Sequence, residues 1–234
     1  YAVSGYLCIG GNEVVSFTRS GDALTIARGA LGSTATTHKA QDRVQTVRRY
    51  SAADAADILY DLLVNDAGVP ASYITLADWL AETDAFLGNV YTATICEPTP
   101  IRTLCAELIQ QAALSVWTNL EQAKLELRVL RAITTDADIY TPDNTVVGSL
   151  QIKEQNDKRL SRVLVYFGQK DPTKPLSNLE NYRSTSLTED ADAEADYGVM
   201  ALKTVTSRWI PDGGRAVADR LGAVILGRFR DPPR

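Results

Sequence analysis

Residues 90–131 read VYTATICEPTPIRTLCAELIQQAALSVWTNLEQAKLELRVLR, and both secondary-structure periods occur within this one run. Val90–Cys96 is short, β-branched and aromatic, the composition of a strand. Thr99-Pro100 marks a helix start, after which Ile101, Leu104, Cys105, Leu108 and Ala112 fall on one face at helical spacing. Leu114–Asn119 returns as a strand. Lys124–Val129 alternates with period two, so one face packs and the other is wet. Strand, helix, strand and strand in succession predict an α+β unit.

Upstream, Ser51-Ala52-Ala53-Asp54 reads as a helix start of the capping-box kind, with Asp54 in place of the usual Glu. Ile58, Leu59, Leu62 and Leu63 mark one helical face, and Gly68-Val69-Pro70 stops it. Thr75–Thr83 is a shorter helix with Thr75 as its cap. The first fifty residues are β-rich: Tyr6–Ile9 runs into the Gly10-Gly11-Asn12 turn, Glu13–Thr18 and Ala23–Arg28 follow, and Val44–Tyr50 is the strand after a loop. Beyond 131, Leu150 with Ile152 and Val163, Val165 and Phe167 alternate as strands, residues 168–198 read as a long acidic loop, Val199–Ile210 as a strand and Arg215–Arg228 as a helix. The expected fold is α+β: a β-rich, partial barrel-like framework at 1–50 and 132–234 with an inserted α+β unit at 51–131. Ile58, Leu62, Leu104 and Leu108 should be buried in the insert, which should fold alone because its helices cover their own apolar stripes.

Composition narrows the function. A chain of 234 residues buries enough surface to fold without a metal or disulfide. No apolar run reaches the roughly 18–20 residues of a membrane span. Twenty-four Lys and Arg against twenty-nine Asp and Glu give a net charge of −5, the wrong sign for a phosphate footprint, so no specific nucleic-acid binding is expected. Cys8, Cys96 and Cys105 are an odd set that cannot close a disulfide framework, and Cys96 and Cys105 read as small buried hydrophobes. One histidine, His38, and three scattered cysteines cannot build a zinc site. The chain opens on Tyr1 and closes on Arg230–Arg234 where a new strand is expected, the pattern of a piece of a longer polypeptide.

Candidate chemistry is thin. Gly29-Ala30-Leu31-Gly32-Ser33-Thr34 is hydroxyl-rich, but no Lys precedes Ser33 as a phosphate loop requires, so it reads as a structural turn. His38 has nothing at readable spacing to orient it as a base, and reads as an imidazole bonding backbone at the foot of a loop. The run Glu189-Asp190-Ala191-Asp192-Ala193-Glu194-Ala195-Asp196 fits no calcium-loop register and reads as a solvated, mobile face. Asp136, Asp138, Asp143 and Asn144 are equally unspecific, and among twenty-nine acids a glycosidase-like pair arises by chance. Trp79, Trp117 and Trp209 lie beside apolar neighbours and read as core or interface rings. No catalytic, cofactor or metal residues are assigned, and the chain reads as a non-enzyme.

The segments together carry a resemblance. Phe17-Thr18-Arg19-Ser20-Gly21-Asp22, then Leu24-Thr25-Ile26, Arg28-Gly29, Gly32-Ser33-Thr34-Ala35 and His38, resembles the R-G-x-x-G-T-x-A-x-x-H stretch of tail-tip and baseplate hub proteins of long-tailed bacteriophages and prophages. Ser33 stands where Thr is commoner, and Gln41-Asp42 where a Gly is frequent. Pro100-Ile101, Leu104, Glu107-Leu108, Val116-Trp117, Leu125 and Leu127 are similar to the strand–helix–strand–strand unit of the same hubs. So are Arg162-Val163, Val165-Tyr166-Phe167, Asp171-Pro172 and Ser207-Arg208-Trp209-Ile210. The resemblance implies a structural virion protein at the tail tip, part of a homotrimeric hub. Such a hub closes the tail tube and joins it to tape measure, fibres or spike, while the fragment itself is expected to be a monomer. The alternatives are a polysaccharide-binding or polysaccharide-cleaving tail-tip domain and a relative of bacterial secretion spikes.

Overall fold

The computed structural model describes residues 2–131 and 156–231. The strand expected at Leu150 and Ile152 and the cluster Asp136, Asp138, Asp143 and Asn144 lie outside the described residues. The architecture is mixed α+β with several sheets, none of them closed into a barrel among the described residues.

The first sheet is antiparallel. β1 (Ser4–Ile9) and β2 (Glu13–Ser20) form the hairpin expected around Gly10-Gly11, β3 (Ala23–Ala27) adds outside β2, and β4 (Val44–Thr46) adds outside β1. Leu7, Val15 and Phe17 pack on one face, Cys8 and Val14 on the other, as period-two alternation requires.

The strand expected over 44–50 is divided between two sheets. After β4 the chain continues as β5 (Arg48–Asp54), which pairs antiparallel with β6 (Val90–Ile95). Ser51 therefore starts no helix: β5 runs on through an irregularity between Tyr50 and Ala53, and Asp54 is the cap, accepting from Ala56 N at 2.7 Å. The shorter reach of an Asp side chain suits this position, because it bonds the first turn from the cap itself. Helix α1 (Ala55–Tyr60) then widens into a π turn at Asp61–Asp66. α2 (Leu76–Phe86), α3 (Ile101–Gln111) and the hairpin β7 (Leu114–Asn119) with β8 (Lys124–Val129) follow; Thr75 precedes α2 without a side-chain capping bond.

Ile58, Leu62, Leu104 and Leu108 are buried in one cluster with Trp79, Tyr91, Leu127 and Val129. One further member comes from far along the chain. Trp209 is completely buried in this cluster, its ring 6.0 Å from that of Tyr50. Its carbonyl accepts from Thr92 N at 2.9 Å, and its indole Nε1 donates to Glu107 Oε2 at 3.3 Å. The expectation that the insert's helices complete their own core is thereby corrected: they leave a space the size of an indole.

The last sheet has the order β10-β9-β11, with β9 (Arg162–Gln169) antiparallel to β10 (Tyr182–Glu189) and parallel to β11 (Leu202–Thr206). Helix α5 (Arg215–Phe229) lays Ala218, Leu221, Ile225 and Leu226 against Val163, Val165 and Phe167. Residues 168–198 are not the acidic loop expected. They contain β10 and helix α4 (Ala191–Tyr197), and Asn181, Ser186 and Ala193 are buried against this same chain. The inward positions of β10 are Tyr182 and Ser186, so its alternation carries little apolar signal. The strand expected over 199–210 is confined to β11, because Ser207–Ile210 turns inward.

Candidate functional site

Glu13 opens β2, and its carboxylate is completely buried. Five donors from the following loop converge on it. Arg28 donates from Nε at 2.6 Å and from Nη2 at 2.5 Å, Gly29 N from 3.1 Å, Thr36 N from 2.9 Å and His38 Nε2 from 2.8 Å. Arg28 Nη2 also donates to the Thr36 carbonyl. The Arg28 guanidinium, assisted by the backbone amides and the imidazole, holds the Glu13 carboxyl far below the usual carboxylate range.

His38 thus bonds carboxylates, not the backbone expected for it. Its Nδ1 lies 3.3 Å from Asp42 Oδ2, and Asp42 accepts in turn from Lys39 N at 2.9 Å. An orienting group four residues away was visible in the sequence; Glu13, twenty-five positions upstream, had no local signature. Ser33 completes the loop's attachment: its Oγ accepts from Val14 N at 2.9 Å and donates to the Ala30 carbonyl at 2.8 Å. A threonine would present the same oxygen. At the other departure from the hub pattern, Gln41 sits at φ 74°, the left-handed region that favours glycine.

The arrangement is an anchor. Glu13 already receives five hydrogen bonds, so its lone pairs are committed to holding residues 28–42 against the β1–β2 hairpin. Gly32, also turned left-handed at φ 87°, is where this loop meets the last sheet: a Cβ there would lie 2.0 Å from the Lys170 carbonyl oxygen.

Beside that contact lies a cleft of about 250 Å³, lined by Leu31, Gly32, Thr92–Thr94, Gly168–Lys170, Pro172, Arg183, Arg208 and Ile210–Asp212. No aromatic ring lines it. Arg208 Nε stands 3.0 Å from Glu107 Oε2, Lys170 Nζ donates to the Glu180 carbonyl at 2.8 Å, and Asp212 Oδ1 accepts from Ser184 Oγ at 2.8 Å. Next to the cleft, Ser207 Oγ donates to Gln111 Oε1 at 2.5 Å and accepts from Trp209 N and Ile210 N. The Ser207–Ile210 stretch is therefore the latch between the last sheet and the helical unit.

Trp79 and Trp209 are core residues, whereas Trp117 on β7 is 43% exposed. Cys96 and Cys105 are buried, as expected of small hydrophobes, and Cys8 is buried as well. The acidic run is helix α4, tied down by ion pairs. Asp190 accepts from Ala193 N at 2.9 Å and from Arg230 Nε at 2.7 Å, and Glu194 accepts from Arg162 Nε at 2.6 Å. Several sheet edges carry exposed apolar side chains. Every residue of β3 is exposed, Leu24 and Ile26 included, and Val44 on β4, Leu187 on β10 and Leu202 on β11 also face solvent. No helix among the described residues is long and apolar enough to cross a membrane. No family model matches the chain, and the search of curated proteins returned no match.

Proposed function

We propose that the chain is a structural, non-enzymatic domain of a tail-tip or baseplate hub of a long-tailed bacteriophage or prophage. It would work in the virion as part of a homotrimeric parent that joins the tail tube and tape measure to fibres or spike. The observation that carries this reading is the convergence of the hub-like residues Arg28, Gly29 and His38 on buried Glu13, with Ser33 bonding the next residue of β2. That gives the motif a mechanical reason to exist: it rigidifies a loop on a sheet whose outer strands, β3 and β4, lie open. Exposed strand edges carrying apolar side chains are what a neighbouring subunit completes.

Antibodies raised against the chain test the reading by immunogold labelling of particles from a producing strain. Label at the distal end of the tail is expected. Label absent from tails, together with retention of the chain on a polysaccharide column, would overturn it in favour of a glycan-binding role.

A further inference from the structure

Cys8 is the last but one residue of β1, opposite Val14 of β2 and Gln45 of β4. Cys96 is the first residue beyond β6, whose Tyr91, Ala93 and Ile95 belong to the core of the helical unit. Both are buried, and they share one small cluster with Val14. Gln45, the residue across the ladder from Cys8, sends its Nε2 to the Cys96 carbonyl, so the same strand row holds both cysteines. Cys105 belongs to a different cluster, on α3.

We propose that Cys8 and Cys96 are a redox-sensitive pair that closes to a disulfide and fastens the first sheet to the helical unit. With oxidised glutathione as the oxidant, one cysteine thiolate attacks its disulfide, releases one reduced glutathione and forms a mixed disulfide. The second cysteine thiolate then attacks the protein sulfur and releases the other glutathione. The protein loses two protons and two electrons, and the oxidant gains them. Burial pushes both thiols up, Cys96 to about 12, so the folded reduced chain reacts slowly and the bond forms during folding or opening. Tying positions 8 and 96 together closes a long loop in the unfolded chain, the situation in which a crosslink restrains that state most.

The full chain, refolded in a buffer of reduced and oxidised glutathione, tests this. Peptide mapping under non-reducing conditions should find Cys8 joined to Cys96 and Cys105 free, and Cys105→Ala should leave that result unchanged. The oxidised chain should unfold at a higher urea concentration than the reduced chain, and the difference should vanish in Cys8→Ala and Cys96→Ala. Free thiols throughout, glutathione adducts, or linkage through Cys105 would overturn the assignment. So would an oxidised chain that unfolds at equal or lower urea.

Discussion

Glu13 shows how much one side chain can organise. Replacing it with Gln removes the acceptor charge while leaving Arg28 and His38 in place, and should cost about 2–4 kcal/mol by urea denaturation. The pH dependence follows from its depressed folded-state pKa. Above the ordinary carboxylate range both states are ionised and the stabilisation is fully present. As pH falls from about 5, the unfolded state takes up a proton first and the stabilisation is lost. Glu13→Gln should therefore flatten the acid limb of a stability–pH curve. A limb as steep as that of the parent would show that other carboxylates set it. Gln41 invites the opposite change. At φ 74° its backbone is strained, and Gln41→Gly should raise stability by about 0.5–1 kcal/mol, read as a higher melting temperature. An unchanged or lower melting temperature would mean that side-chain contacts outweigh the backbone strain.

Among the elements, those with strong periodicity were legible in the sequence. The stripe Ile101, Leu104, Cys105, Leu108 placed α3, and alternation over 124–129 placed β8, because each buries one apolar face. Leu104→Asp should accordingly unfold the domain or cost several kcal/mol, since it buries an unpaired charge; an unchanged melting curve would refute that packing. β10 and α4 were hidden, because their inward residues are Tyr182, Ser186 and Ala193, and the acids Asp190 and Glu194 meet their partners Arg230 and Arg162 from far along the chain. The anchor at Glu13 was half visible: the loop motif could be read, its buried partner could not. Helix α4 also ends on Gly198 at φ 67° with open space around it. Gly198→Ala should cost about 1 kcal/mol and speed amide exchange in α4, whereas Gly213→Ala, equally open but without a left-handed φ, should change little.

At the scale of the whole molecule, three packing units meet around residues 32, 170 and 207–210. Net charge −5 opposes close self-association, and on the proposed hub reading the ring contacts would come from open strand edges. Light scattering at micromolar concentration should give a mass near 25.5 kDa; a stable trimer would show that the ring determinants lie within these residues. The Trp209 indole, set beside Tyr50 of β5 and bonded to Glu107 of α3, bears on whether the helical unit can be exchanged. The unit at 51–131, which the sequence alone presents as separable, is interlocked with a residue nearly eighty positions beyond its end. A swapped-in insert must either bring a matching socket for that ring or leave it exposed to water. An exchange confined to residues 51–131 should therefore destabilise the fold, because it parts Trp209 and Tyr50 from the side chains they pack against.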